Sequence, residues 1–106
     1  MADHEYYVLK KLEEQPDISQ REIAAALGVS LGKVNYIIRA CIDKGWVKAR
    51  NFKNNESKMR YAYLLTPKGI VSRTKLAHHF LQRKLDEYDR LHSEIQELEK
   101  DLGIKR

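Results

Sequence analysis

Residues 30–46 read SLGKVNYIIRACIDKGW, and their rhythm decides the fold. Val34, Ile37, Ile38, Cys41 and Ile42 fall within one narrow arc at about 3.6 residues per turn, which predicts an amphipathic helix. Ser30 stands where a hydroxyl would cap its first turn, and Gly45 where a left-handed residue would end it. The opposite face carries Gly32, Tyr36, Arg39 and Asp43, flanked by Lys33, Asn35 and Ala40. The apolar stripe does not account for that polar face.

The preceding residues, DISQREIAAALGVS (17–30), predict a second, shorter helix. Ser19 with Glu22 three residues later is a capping box. Ile23, Ala26 and Leu27 are expected on its buried side, and Gly28 ends it. Ser30 caps the next helix only two residues later, so the pair forms a helix-turn-helix. The small side chains Ala24 to Ala26 suit a close crossing. Further upstream, Tyr6, Val8, Leu9 and Leu12 give a helical rhythm over residues 3–15, stopped by Pro16.

After Gly45 the period changes to two. WVKARNF (46–52) alternates, KNNESK (53–58) is a polar turn, and MRYAYLLT (59–66) sets Tyr61, Tyr63 and Leu65 on one face, with Met59 continuing it. This is a β-hairpin. Thr66-Pro67 then opens a last helix, with Thr66 as its cap, that can run to about Leu102, roughly 54 Å at 1.5 Å per residue. From Ile70 through Thr74, Ala77, Leu81, Lys84, Tyr88, Leu91, Ile95 and Leu98 to Leu102 the spacing alternates four and three, a heptad seam broken only by Lys84, with Leu85 beside it.

The expected architecture is therefore mainly α with a small β-hairpin: a winged helix-turn-helix over 1–66, then a long coiled-coil helix over 67–106. Leu81, Leu85, Tyr88, Leu91, Ile95, Leu98 and Leu102 are the expected dimerisation residues. The other possibility is a helix that folds back and buries Leu76, Phe80 and Leu81 on its own domain. The two are compatible if each claims one half of the helix.

Composition bounds the function. With 106 residues, 42% hydrophobic and 33% charged, the chain supports one globular core. No apolar run approaches the roughly 18 residues of a membrane span, and the first residues lack a signal peptide's pattern. The single cysteine, Cys41, is expected as a buried small hydrophobe, and the chain as cytoplasmic. The net charge is +5, but residues 28–60 hold eight basic against two acidic side chains. That local excess suits a polyanion.

An α-helix fits the major groove of duplex DNA, and its first turns reach the bases. Ser30, Gly32, Lys33, Asn35, Tyr36 and Arg39 are the candidate contacts from the helix. Gly32 allows close approach, Asn35 suits adenine if it points inward, and Lys33 and Arg39 suit guanine or phosphate. Lys48, Arg50, Lys53, Asn54, Asn55, Lys58 and Arg60 make the hairpin a cationic wing for the backbone or minor groove. Plainer roles stand beside these. Ser30 caps its helix in any case, Tyr36 can pack on the wing, Asn54 and Asn55 can simply make the turn, and Trp46 suits the core. The rival function is a winged-helix adaptor for other proteins. No phosphate loop, nucleophile elbow or metal-ligand spacing points to an enzyme, a cofactor or a metal site.

The phrases SLGKVNY, DKGWVK and YLLTPKGI, in this order over roughly residues 5–85, resemble the MarR family of bacterial winged-helix regulators, and more narrowly its exopolysaccharide-associated subgroup. The resemblance implies a homodimeric transcription regulator on a pseudo-palindromic operator. It implies recognition-helix positions at Ser30, Gly32, Lys33, Tyr36 and Arg39, and a wing from Lys53 to Arg60. The chain departs from the broader family in its short stretch before the first helix and in having Asn54-Asn55 where an acidic–arginine pair is usual. The first departure puts dimerisation on the last helix and leaves no small-molecule effector site expected.

Overall fold

A computed structural model describes residues 2–53, 56 and 59–105, and at Ala2, Phe52, Lys53, Met59 and Arg60 the backbone alone. Its order is α1 (Ala2–Glu14), α2 (Gln20–Leu27), α3 (Leu31–Asp43), β1 (Val47–Lys53), β2 (Met59–Leu65) and α4 (Pro67–Leu102). The fold is a winged helix-turn-helix followed by a long C-terminal helix.

The caps account for the boundaries. Ser19 and Glu22 form the reciprocal capping box at α2, and Ser30 Oγ accepts from Lys33 N at 3.0 Å at α3. Gly28 ends α2 and Val29 N–H returns to Ala24 O at 3.1 Å, so the chain turns through 114° into α3. At the end of α3, Gly45 takes φ 77°, which lets its N–H reach Ile42 O and Trp46 N–H reach Cys41 O. That double bond satisfies two carbonyls the helix would leave open, and a side chain at Gly45 would be strained there.

The core is small and contiguous. Val8, Leu9 and Leu12 of α1 meet Ile18, then Ile23 and Ala24 of α2, Val34, Ile37, Ile38 and Cys41 of α3, and Val47 of β1. Trp46 packs against it half-buried, as its sequence position suggests. Burial, with Glu5 nearby, pushes the Cys41 thiol up from 9.0 to about 11, against the opposing pull of Lys44. One expectation needs correction. Ala26 is exposed, and Ala24 is buried in its place. The inward arc of α2 is Gln20, Ile23, Ala24 and Leu27; a helix of eight residues contains too few turns for its hydrophobic rhythm to separate neighbouring alanines.

The hairpin pairs antiparallel from Val47↔Leu65 to Lys53↔Met59. Residues directly opposite share a face, so Val47, Ala49 and Asn51 stand with Leu65, Tyr63 and Tyr61, and Lys48 and Arg50 with Leu64 and Ala62. The root of the hairpin is locked to α4 by Thr66. Its Oγ1 donates to Gly45 O at 2.6 Å and accepts from Gly69 N at 3.0 Å, while Thr66 N–H bonds Trp46 O at 3.0 Å. Gly69 is required by contact: a Cβ there would overlap the Trp46 carbonyl oxygen and come within 2.9 Å of its carbon. The TPKG and KGW phrases therefore meet at one joint.

α4 divides along its length. Its first turns lie on α1, where Phe80 contacts Tyr6 and Tyr7 with ring centroids 5.6 and 5.5 Å apart. Arg73 pairs with Glu13 at 3.3 Å, and Arg83 pairs with Asp3. Leu76 and Phe80 are half-buried, whereas Leu81 is exposed, so the fold-back alternative holds for the first two and not the third. Beyond Arg83 the helix projects, and the molecule measures 67 × 27 × 21 Å. Leu81, Leu85, Tyr88, Leu91, Leu98 and Leu102 are between 48% and 67% exposed along it, and Ile95 is half-buried. Among the described residues, no single helix is long and apolar enough to cross a membrane.

Candidate nucleic-acid interface

The face of α3 opposite its apolar stripe is open. Lys33, Asn35, Tyr36 and Arg39 are exposed, Tyr36 to 75%, so it does not pack on the wing. Gly32, Asn35, Tyr36, Arg39, Ala40 and Asp43 line one shallow concavity along the helix. Gly32 has no internal reason to be glycine: a Cβ there would meet only Ser30 Oγ, at 4.0 Å. A helical glycine costs about 0.5–1 kcal/mol relative to alanine, so its presence favours close approach from outside.

Ser30 is committed to its cap through Oγ, and it remains exposed at the N-terminus of α3. The positive end of the helix dipole and the first free N–H groups lie there. Lys48 and Arg50 are exposed on the hairpin, on the face they share with Leu64 and Ala62. Among the described residues, Lys33, Arg39, Lys48 and Arg50 form no ion pair, so no described carboxylate neutralises their charge. Asn54, Asn55 and Lys58 lie outside the described residues, as do the side chains of Lys53 and Arg60.

Asn35 is held where the sequence left its direction open. Its Nδ2 donates to Gln20 Oε1 at 3.2 Å, and Gln20 Nε2 donates to Tyr63 Oη at 3.2 Å. Tyr63 stacks on Tyr61 with ring centroids 6.4 Å apart. One polar chain thus ties α3 to α2 and to the wing. Sequence reading misses Gln20 and Tyr63 as members of this face. The available signal is that Gln20, polar, follows the Ser19 cap on the arc that α2 turns inward.

The chain matches the family model described as winged helix-turn-helix DNA-binding over residues 7–48, from α1 into β1. A comparison with curated proteins finds no match. Among solved structures, a protein of Streptococcus mutans superposes with a TM-score of 0.77 at 14% identity, covering 86% of this chain and 88% of that one. A PadR-like transcriptional regulator from Bacillus cereus gives 0.72 at 14% identity, covering 82% and 89%. A MarR family protein of Mycobacterium tuberculosis, solved with p-aminosalicylic acid, gives 0.66 at 20% identity, covering 94% and 77%. At these identities the likeness is one of fold.

Proposed function

We propose that this chain is a sequence-specific, double-stranded DNA-binding transcription regulator that acts as a homodimer in the bacterial cytoplasm. α3 enters the major groove with Gly32, Lys33, Asn35, Tyr36 and Arg39, and Ser30 meets a phosphate at its N-terminus. The wing lies along the backbone or in the minor groove, with Lys48 and Arg50 joined by Lys53, Asn54, Asn55, Lys58 and Arg60. The observation that carries this reading is the open face of α3, whose Lys33 and Arg39 have no ion-pair partner among the described residues and which is fronted by a glycine with no packing duty.

The projecting half of α4 gives the dimer. Its heptad seam is apolar and exposed on a single chain, and a second copy is the occupant whose pattern matches it by construction. Two heads joined in this way favour a pseudo-palindromic operator. The narrower affinity with exopolysaccharide-associated MarR regulators rests on SLGKVNY, DKGWVK and YLLTPKGI. The matched family model ends at residue 48 and does not reach the last of these.

The test is affinity for duplex DNA across a salt series. A DNA binder loses log affinity linearly with log salt, with a slope set by the number of phosphates neutralised. Lys33→Ala and Arg39→Ala should each weaken binding to a preferred site by about 1–3 kcal/mol if they read bases. Unchanged affinity and preference in both variants would mean that the wrong face has been chosen. Absence of salt-dependent binding in the parent chain would favour the adaptor reading.

A further inference from the structure

A chain of hydrogen bonds runs through Gln20 from α3 to the wing. Asn35 Nδ2 donates to Gln20 Oε1, Gln20 Nε2 donates to Tyr63 Oη, and the two distances are equal at 3.2 Å. An asparagine amide has two N–H donors and one oxygen with two lone pairs. With one donor given to Gln20, Asn35 retains one N–H and its Oδ1. A donor beside an acceptor on one planar amide is the set that matches adenine in the major groove, where N7 accepts and the N6 amino group donates. It is a poor match for guanine, which offers two acceptors at N7 and O6.

A free asparagine amide would turn its donor and acceptor without preference. Here the amide is held: Gln20 bridges Asn35 and Tyr63, accepting from Asn35 through its oxygen and donating to Tyr63 through its nitrogen. Asn35 is exposed and lines the same concavity as Gly32, Tyr36 and Arg39, on the face left open. We propose that Asn35 is an adenine-reading residue of this protein, and that Gln20 and Tyr63 are positioning residues that set its amide from α2 and from the wing. The inference rests on the DNA-binding reading above and deepens it by naming one base and the residues that select it.

The test uses the full chain and the duplex that it enriches from a random pool. Affinities are measured for that duplex and for every single-base replacement in it. The parent should prefer adenine at one position of each half-site by about 5- to 150-fold over the other bases. Asn35→Ala should level that position and leave preferences elsewhere intact. Gln20→Ala and Tyr63→Phe should weaken the same position by a smaller factor, with the thermal midpoint of Tyr63→Phe near the parent's because the ring is kept. Adenine preference undiminished in Asn35→Ala, or a loss spread equally over all positions, overturns the proposal. Gln20→Ala and Tyr63→Phe that leave the adenine position untouched overturn the positioning part. A parent chain that enriches no site removes the DNA-binding reading itself, a result distinct from a parent that selects a site which Asn35 does not influence.

Discussion

Gly32 separates what the chain needs in order to fold from what it needs in order to bind. The Cβ it lacks would meet no wall, and its helical backbone is open to any residue. Gly32→Ala should therefore raise stability by about 0.5–1 kcal/mol in denaturant unfolding. The same variant should bind DNA more weakly, because the added methyl stands between backbone and groove. Stability and affinity moving in opposite directions is the signature of a residue retained for an outside partner. Legibility in the sequence follows the same division. Ser30, Val34, Ile37, Ile38 and Cys41 were readable because a cap and a 3.6-residue stripe are local patterns. Gln20, Asn35 and Tyr63 became a unit only when three elements met, and a bond across 43 residues of chain leaves no local trace.

Among the elements, the joint between wing and long helix carries the tightest constraint. Thr66 bonds in both directions there, to Gly45 O and from Gly69 N, and Gly69 presses on the Trp46 carbonyl. Gly69→Ala should lower stability by about 3 kcal/mol, since the obstacle is backbone and not the end of a flexible side chain. Thr66→Ala should cost less, about 1 kcal/mol for a lost cap. Chemical unfolding of both variants checks the order, and an indifferent Gly69→Ala would mean that α4 is free to shift along the hairpin. The cap, the proline at the first turn and the 36-residue length of α4 were all legible in sequence. The contact that demands glycine at residue 69 was not, because the carbonyl it meets is 23 residues away.

For the molecule as a whole, α4 has two tasks on neighbouring faces, and its heptad seam is exposed at Ile70 and Leu81 as well as in the projecting half. Its first half rests on α1 through Phe80, Arg73 and Arg83, and its second half exposes Tyr88, Leu91, Leu98 and Leu102. A chain ending at Lys84 keeps every contact named between α4 and α1. It should fold with a cooperative transition near that of the full chain and yet run as a monomer in light scattering. A truncated chain that keeps the parent's oligomeric state would place the interface elsewhere. Heptad spacing was visible in sequence along the entire helix, but spacing alone does not say where the chain's own body ends and a partner begins. The limit is marked on the face beside the seam, where Tyr6 and Tyr7 of α1 meet Phe80 and Asp3 pairs with Arg83.

The proposed dimer carries two cationic heads on one rod and should recognise a symmetric stretch of DNA. The most direct measurement is enrichment of the full chain's preferred duplex from a random pool. It should return two inverted half-sites with centres separated by about one helical turn or a multiple of it. A single asymmetric half-site, or a pool that leaves the selection as random as it entered, would contradict that expectation.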